Sequence, residues 1–180
     1  MEFEPFQKIA RLSRGCTITE KIDGTNACVA ISDEGDTTLY VGSRSRWITP
    51  EDDNYGFAKW AHEHREELMA LGPGRHFGEW WGAGIQRRYG LTEKRFSLFN
   101  TSRWLETPPP ACCHVVPVLY SGIFTSTAAD EALELLRTKG SQAAPGFMQP
   151  EGIIIYQSAG RVYFKKTLDK DEEWKGKQAA

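Results

Sequence analysis

The sequence predicts an α+β fold, with antiparallel sheets into which two helices are inserted. Three observations lead there. Short runs rich in β-branched and aromatic residues recur along the chain. Only two stretches repeat apolar residues at three and four. The strand-like runs are mostly joined by short turns, which suit antiparallel neighbours rather than crossover units. In order, these runs are CTITEK, ACVAIS, TLYVGS, HFGEWW, RFSLFN, HVVPVLY, EGIIIY and RVYFKK. Between the third and fourth, Phe57, Trp60, Ala61, His64 and Leu68 form one helical stripe. Ala129, Ala132, Leu133 and Leu136 form the other, with Ser126 or Thr127 as its cap. TPPPACC reads as an extended connector ahead of HVVPVLY. Residues 1–168 are expected to make one domain and 169–180 a charged, disordered tail.

Composition narrows the function classes. The 180 residues carry a net charge of −2, so no global basic field announces nucleic acid. A polyanion would have to meet a local patch. No apolar run approaches the roughly 20 residues of a membrane span, and MEFEPFQKIARLSRG lacks the apolar centre of a signal peptide. Cys16, Cys28, Cys112 and Cys113 have no metal-like spacing and read as free thiols. A soluble protein of a reducing compartment, the cytoplasm, is expected.

The stretch TITEKIDGTNACVAI, Thr17 to Ile31, holds the central question. Asp23-Gly24 between two apolar runs is a strong hairpin signal, with Lys21 a solvated neighbour. The alternative makes Lys21 a nucleophile in a turn that holds a nucleotide. A lysine amine attacks phosphorus only when neutral. With an ordinary pKa of about 10.4, roughly one in a thousand is ready at neutral pH, a deficit of about 4 kcal/mol. Nearby cations or loss of water recover part of this. Basic groups and a metal ligand should therefore recur along the chain.

They do. VGSRSRW puts Arg44 and Arg46 on a serine-rich turn after a strand, where a guanidinium suits phosphate oxygens. RHFGEWWGAGIQRRYG sets Glu79 in a strand of aromatic and glycine neighbours, followed by Arg87 and Arg88. QPEGIIIY opens an apolar strand with Glu151, and a carboxylate at a strand mouth suits magnesium. RVYFKKTL ends the next strand with Lys165 and Lys166. Singly, each is also explained as an exposed charge at a turn or strand end.

In succession these segments resemble the covalent nucleotidyltransferase superfamily of polynucleotide ligases and mRNA-capping enzymes. KIDG (Lys21–Gly24) is similar to its KxDG motif, and Ser43-Arg44 to the next. FGEWWG around Glu79 is similar to the third, and LFN (Leu98–Asn100) to the aromatic motif after it. PEGIIIY at Glu151 and YFKK at Lys165 are similar to the fourth and fifth. The resemblance runs from about Thr19 to Lys166. EKIDGTN, with Asn26 two places beyond the motif glycine, is most similar to phage-type ATP-dependent RNA ligases that seal nicks.

The resemblance implies antiparallel sheets forming a nucleotide-binding cleft with inserted helices, an adenylation domain of ATP-grasp-like character without an OB domain. It also implies roles. Lys21 would carry AMP, with Glu20 and the neighbouring strand backbone facing the adenine, and Ile22 and Gly24 also contacting the nucleotide. Phe99 would stack on that base. Arg44 and Glu79 would address the ribose and phosphate side. Glu151 would hold Mg²⁺ or Mn²⁺, and Asn26 would support the hydrated metal or a phosphate. Lys165 and Lys166 would contact the α-phosphate. Arg46, Arg87 and Arg88 would touch the nucleic-acid backbone. ATP is the implied cofactor, and RNA with 5′-phosphate and 3′-hydroxyl ends the implied partner, in RNA repair. DNA joining, or capping with GTP, keeps the same chemistry. A non-catalytic nucleic-acid-binding module on the same fold is the reading from another class.

The sequence departs from the family pattern in three places. Lys165 and Lys166 are adjacent where the fifth motif reads Lys-x-Lys, so Thr167 takes the second lysine's place and Lys165 is the stronger candidate. Asn100 replaces an acid after Phe99. Only Thr167–Ala180 follows Lys166, too little for the appended domain of these enzymes, so help from an accessory protein is expected.

Overall fold

The computed structural model describes residues 1–33 and 38–169, so all but Asp169 of the expected tail lies outside the described residues. In chain order the elements are β1 (Gly15–Lys21), β2 (Thr25–Ile31), β3 (Leu39–Gly42), α1 (Phe57–Glu63), α2 (Arg65–Leu68), β4 (Gly74–Gly82), β5 (Lys94–Leu98), β6 (Cys113–Val115), β7 (Val118–Ile123), α3 (Ser126–Lys139), β8 (Gly152–Gln157) and β9 (Val162–Thr167). They build two sheets, a four-stranded one ordered β7-β1-β8-β9 and a five-stranded one ordered β3-β2-β4-β5-β6. Every pairing is antiparallel except β5 with β6.

The Asp23-Gly24 hairpin does not form. β1 and β2 lie in different sheets, and the loop between them carries the chain from one to the other. Gly24 explains the tightness of that crossing. A Cβ there would stand 2.4 Å from the Trp80 carbonyl oxygen and 2.7 Å from the Trp81 Cβ. The loop is pressed against β4, and a side chain at residue 24 would force it off.

HVVPVLY also divides. Pro117 has no N–H to continue a ladder, and the chain changes sheets there. Cys113–Val115 pairs with β5, whereas Val118–Ile123 pairs with β1. Two crossings, at residues 22–24 and 116–117, therefore stitch the sheets together.

The helical stripe over 57–68 breaks at His64, whose backbone leaves the helical region (φ −103°, ψ 21°). Its ring Nδ1 bonds the Trp60 carbonyl at 2.9 Å. The start of α1 is held by the Asp53 carboxylate, which accepts from the Ala58 and Lys59 amides at 2.7 and 3.0 Å. α3 forms as expected, but Thr125 is its cap, accepting from the Ala128 amide at 3.0 Å. Thr125 is still extended, as a cap requires, while Ser126 already lies in the first turn.

Three apolar clusters result. The first joins α1 and α2 to one face of the five-stranded sheet, around Phe57, Leu68, Trp80 and Phe96. The second seats Ala129, Leu133 and Leu136 of α3 on Ile18, Ile153 and Ile155 of the four-stranded sheet. The third gathers Ile22, Trp81, Tyr89, Val116 and Ala144 where the chain crosses between sheets. All four cysteines are free, three of them buried. Among the described residues, no helix is long and apolar enough to cross a membrane.

Candidate active site

Strand alternation decides what faces the cleft. In β1, Cys16, Ile18 and Glu20 are buried toward α3, so Thr17, Thr19 and Lys21 project from the other face. In β4, Trp80 enters the first core, which leaves Phe77, Glu79 and Trp81 on the opposite face. Lys21 and Glu79 thus approach the junction of the sheets from different sheets.

Lys21 pairs with Gly152 across β8, and its Nζ donates to Glu151 Oε2 at 2.5 Å. Both side chains keep some exposure, 22% and 18%. The Gly24 amide donates to Glu79 Oε1 and Asn26 Nδ2 to Oε2, each at 3.1 Å. Glu79 therefore clamps both ends of the lysine loop's exit. Burial pushes its carboxyl up to about 7, against the nearby Lys21 ammonium and these two donors, which lower it, while Glu151 adds to the rise.

Beneath the loop lies a brace that sequence reasoning did not find. The Asp23 amide donates to the Tyr89 hydroxyl at 2.8 Å, and the Arg87 Nε to the Asp23 carboxylate at 3.1 Å. Arg87 also donates to the Gln149 carbonyl at 2.9 Å, just ahead of Glu151. One guanidinium thus ties the lysine loop to the segment that presents the carboxylate. Arg87, expected at the nucleic-acid backbone, has its Nε and Nη1 engaged in this internal tie, and its side chain keeps 29% exposure. Gln86, Arg88 and Tyr89, none of them glycine, take positive φ in this short loop, a strain that no residue type in the sequence announces.

Glu20, expected to face the adenine, has its side chain engaged elsewhere. Its side chain is 1% exposed and turns away from Lys21. The carboxylate accepts from Ser141 Oγ at 2.6 Å and from the amides of Gln142 and Ala143 at 2.7 and 2.9 Å. It holds the loop after α3, which leaves the backbone of residue 20 as the part near Lys21. Ile22 is likewise buried in the third cluster, so only its backbone can reach a ligand.

The adjacent lysines separate by the same alternation. Lys165 pairs with Ile154, which pairs with Thr19, on the face that carries Lys21. Lys166 pairs with Ile153, points toward α3, and its Nζ donates to Asp130 at 2.8 Å. The Lys166 ammonium, expected at the α-phosphate, thus lies on the face opposite Lys21. Thr167, paired with Gly152, returns to the row of Lys21.

On the five-stranded sheet, Ser97 pairs with Glu79, and the Phe99 amide donates to the Phe77 carbonyl at 2.9 Å. Phe77 and Phe99 therefore share the Glu79 face. They are 54% and 39% exposed, an aromatic rim above a carboxylate. Phe77 was not singled out from the sequence, although its place two residues before Glu79 in a strand puts it on that face. β3 runs antiparallel to β2, so the Ser43–Arg46 turn returns toward Asn26. Arg44 is exposed there and makes no ion pair among the described residues. Arg46 forms a two-pronged pair with Asp52, which counts against a free phosphate ligand. Arg88 is exposed.

Among the described residues no three His, Cys, Asp or Glu side chains gather to cage a metal. Glu151 at the cleft mouth fits another arrangement, an ion bound by one carboxylate and completed by phosphate oxygens and water.

Two sheets joined at a loop that carries a lysine, with carboxylates converging from both, is the architecture of a nucleotidyltransferase domain. Mutants of the Naegleria gruberi RNA ligase have this fold. One, solved without ligand, superposes with a TM-score of 0.61 at 20% identity, over 86% of this chain and 50% of that one. Another, with AMP and Mn, gives 0.61 and 20% over 86% and 49%. A third, with ATP and Mn, gives 0.58 and 18% over 86% and 50%. The chain thus spans about half the length of these solved relatives. No curated protein matches it in sequence. The chain belongs to the RNA ligase family, whose model matches residues 15–168.

Proposed function

We propose that this chain is the adenylation domain of an ATP-dependent RNA ligase, with Lys21 as the nucleophile. The observation that carries the proposal is the Lys21–Glu151 contact at the junction of the sheets, with Glu79 beside it. In the first step Lys21 Nζ loses a proton and bonds to the α-phosphorus of ATP. The bond from that phosphorus to the bridging oxygen breaks, and pyrophosphate leaves. AMP then passes to an RNA 5′-phosphate, and a 3′-hydroxyl displaces it to form the phosphodiester.

Lys21 is held by Glu151 from one side, while the loop behind it is fixed by Glu79, Tyr89 and Arg87. Such fixing favours in-line attack by removing the need to position the amine. Lys165, on the same face, is assigned to the charge that develops on phosphate. Phe99, with Phe77 beside it, is assigned to the adenine, and Arg44 and Asn26 to the ribose and phosphate side. Mg²⁺ or Mn²⁺ held by Glu151 would neutralise phosphate charge. The proposed setting is RNA repair in the cytoplasm.

Incubation with α-³²P-ATP and Mg²⁺, followed by a denaturing gel, tests this reading. A labelled band is expected from the wild-type chain and none from Lys21→Ala. Competition by unlabelled GTP rather than ATP would redirect the proposal to capping. No band with ATP, GTP or Mn²⁺ would overturn it in favour of a binding module.

A further inference from the structure

The face of the four-stranded sheet that carries Lys21 continues well past the cleft. Its rows follow from the strand register. Lys21, Gly152 and Thr167 form the first, and Thr19, Ile154 and Lys165 the second. In the third, Tyr163 pairs with Tyr156, Tyr156 with Thr17 and Thr17 with Ser121. At the strand rise, this third row lies roughly 13 Å from Lys21. The two tyrosine rings lie side by side, with centroids 4.7 Å apart and planes at 36°. Tyr163 is 68% exposed, although no interior contact requires a large ring there. Beside Tyr156 lies an open groove of about 420 Å³, with Thr17, Ser121, Gly15 and Ile123 in its walls.

The charge on this face is of one sign. No strand residue pointing from it is acidic, since Glu20 turns toward α3. Glu151 sits only at the far end, beside Lys21. Lys165 occupies the row between the tyrosines and the nucleophile, and Arg161 is exposed in the β8–β9 turn. An exposed ring beside a half-buried one, hydroxyls next to them and an intervening lysine suit a polyanionic strand whose bases stack. A protein partner would be met by aliphatic surface rather than by cations and hydroxyls.

We propose that this sheet face is a binding track for single-stranded RNA, leading to the reacting end. Tyr156 and Tyr163 stack on bases near that end, Thr17 and Ser121 contact base edges or 2′-hydroxyls, and the phosphates pass Lys165. The proposal rests on the RNA-ligase reading for the identity of the strand. It adds a surface that the adenylation chemistry does not use.

The test compares wild type with Tyr163→Ala, Tyr156→Ala and Tyr163→Phe. Two readouts are taken, the labelled lysine adduct and the Kd for a short 5′-phosphorylated, fluorescein-labelled RNA by anisotropy. Adduct formation should be unchanged in all three variants. The Kd should weaken about tenfold in each alanine variant, as loss of one stacked base predicts, and stay within about twofold in Tyr163→Phe. An unchanged Kd in Tyr163→Ala, whose ring can be removed without opening the core, would overturn the track and leave the face to a protein partner. The two readings also fail separately. A wild-type chain that binds RNA through the tyrosines but forms no adduct refutes the ligase reading alone. An adduct with tyrosine-independent RNA binding refutes the track alone.

Discussion

Glu20 and Glu79 are both carboxylates inside strands and both buried, at 1% and 8% exposure. Their surroundings make them opposites. Glu20 is met by three donors from the loop after α3, two of them backbone amides, and links β1 to that loop. Glu79 has one backbone and one side-chain donor, and it looks toward the cleft beside Lys21 and Glu151. Burial raises both carboxyls, Glu79 up to about 7, and at Glu20 the three donors oppose the rise. The acid next to Lys21 in sequence thus turns away from it, while one 58 places away faces it.

The largest expected effect is on the scaffold side. Glu20→Ala leaves the Ser141 hydroxyl and two amides without their acceptor and should cost about 3 kcal/mol of stability. Urea unfolding reads this. The labelled adduct per folded molecule should stay near wild type. A normal melt with a lost adduct would move Glu20 into the site and erase the contrast.

Glu79→Gln should do the reverse at neutral pH. Adduct formation should fall by roughly 10²-fold, the scale for losing one pre-aligned electrostatic group. Its effect on stability has a definite sign. The folded state holds the Glu79 proton up to about pH 7, whereas the unfolded chain releases it near 4.5. Wild-type stability relative to Glu79→Gln should therefore decline as pH rises from about 4.5 to about 7, by at most about 3 kcal/mol, and level off above. Paired urea curves at pH 5 and pH 8 measure this. An equal gap at both would mean that Glu79 ionises like a surface acid.

The smallest effect tests the same alternation on the neighbouring strand. Lys166→Ala removes an exposed pair with Asp130 and should change stability by less than about 1 kcal/mol. Adduct formation should be unchanged, whereas Lys165→Ala should lower it markedly. Equal losses would return both lysines to the phosphate.

Much of this was legible because it is local. Strand composition located the sheets, the three-and-four spacing located the helices, and KIDG, Glu79, Glu151 and Lys165 stood out by residue type and order. The hairpin expectation failed because the Asp-Gly signal reports only that the chain turns, not which strand it meets next. HVVPVLY was read as one strand because its proline weighed less than its valines. Arg87 looked like a surface charge because its partners, Asp23 and Gln149, are 64 and 62 residues away.

The sequence by itself determined the class of fold, and it marked Lys21 and the order of the charged groups around it. Those depend on residue chemistry and short-range periodicity, which a chain carries wherever it goes. Only the tertiary structure decided that β1 and β2 part into two sheets, that Glu20 meets the loop after α3 while Glu79 faces Lys21, and that Lys165 and Lys166 lie on opposite faces. A strand gives every residue one of two directions, and long-range packing chooses which direction meets the cleft.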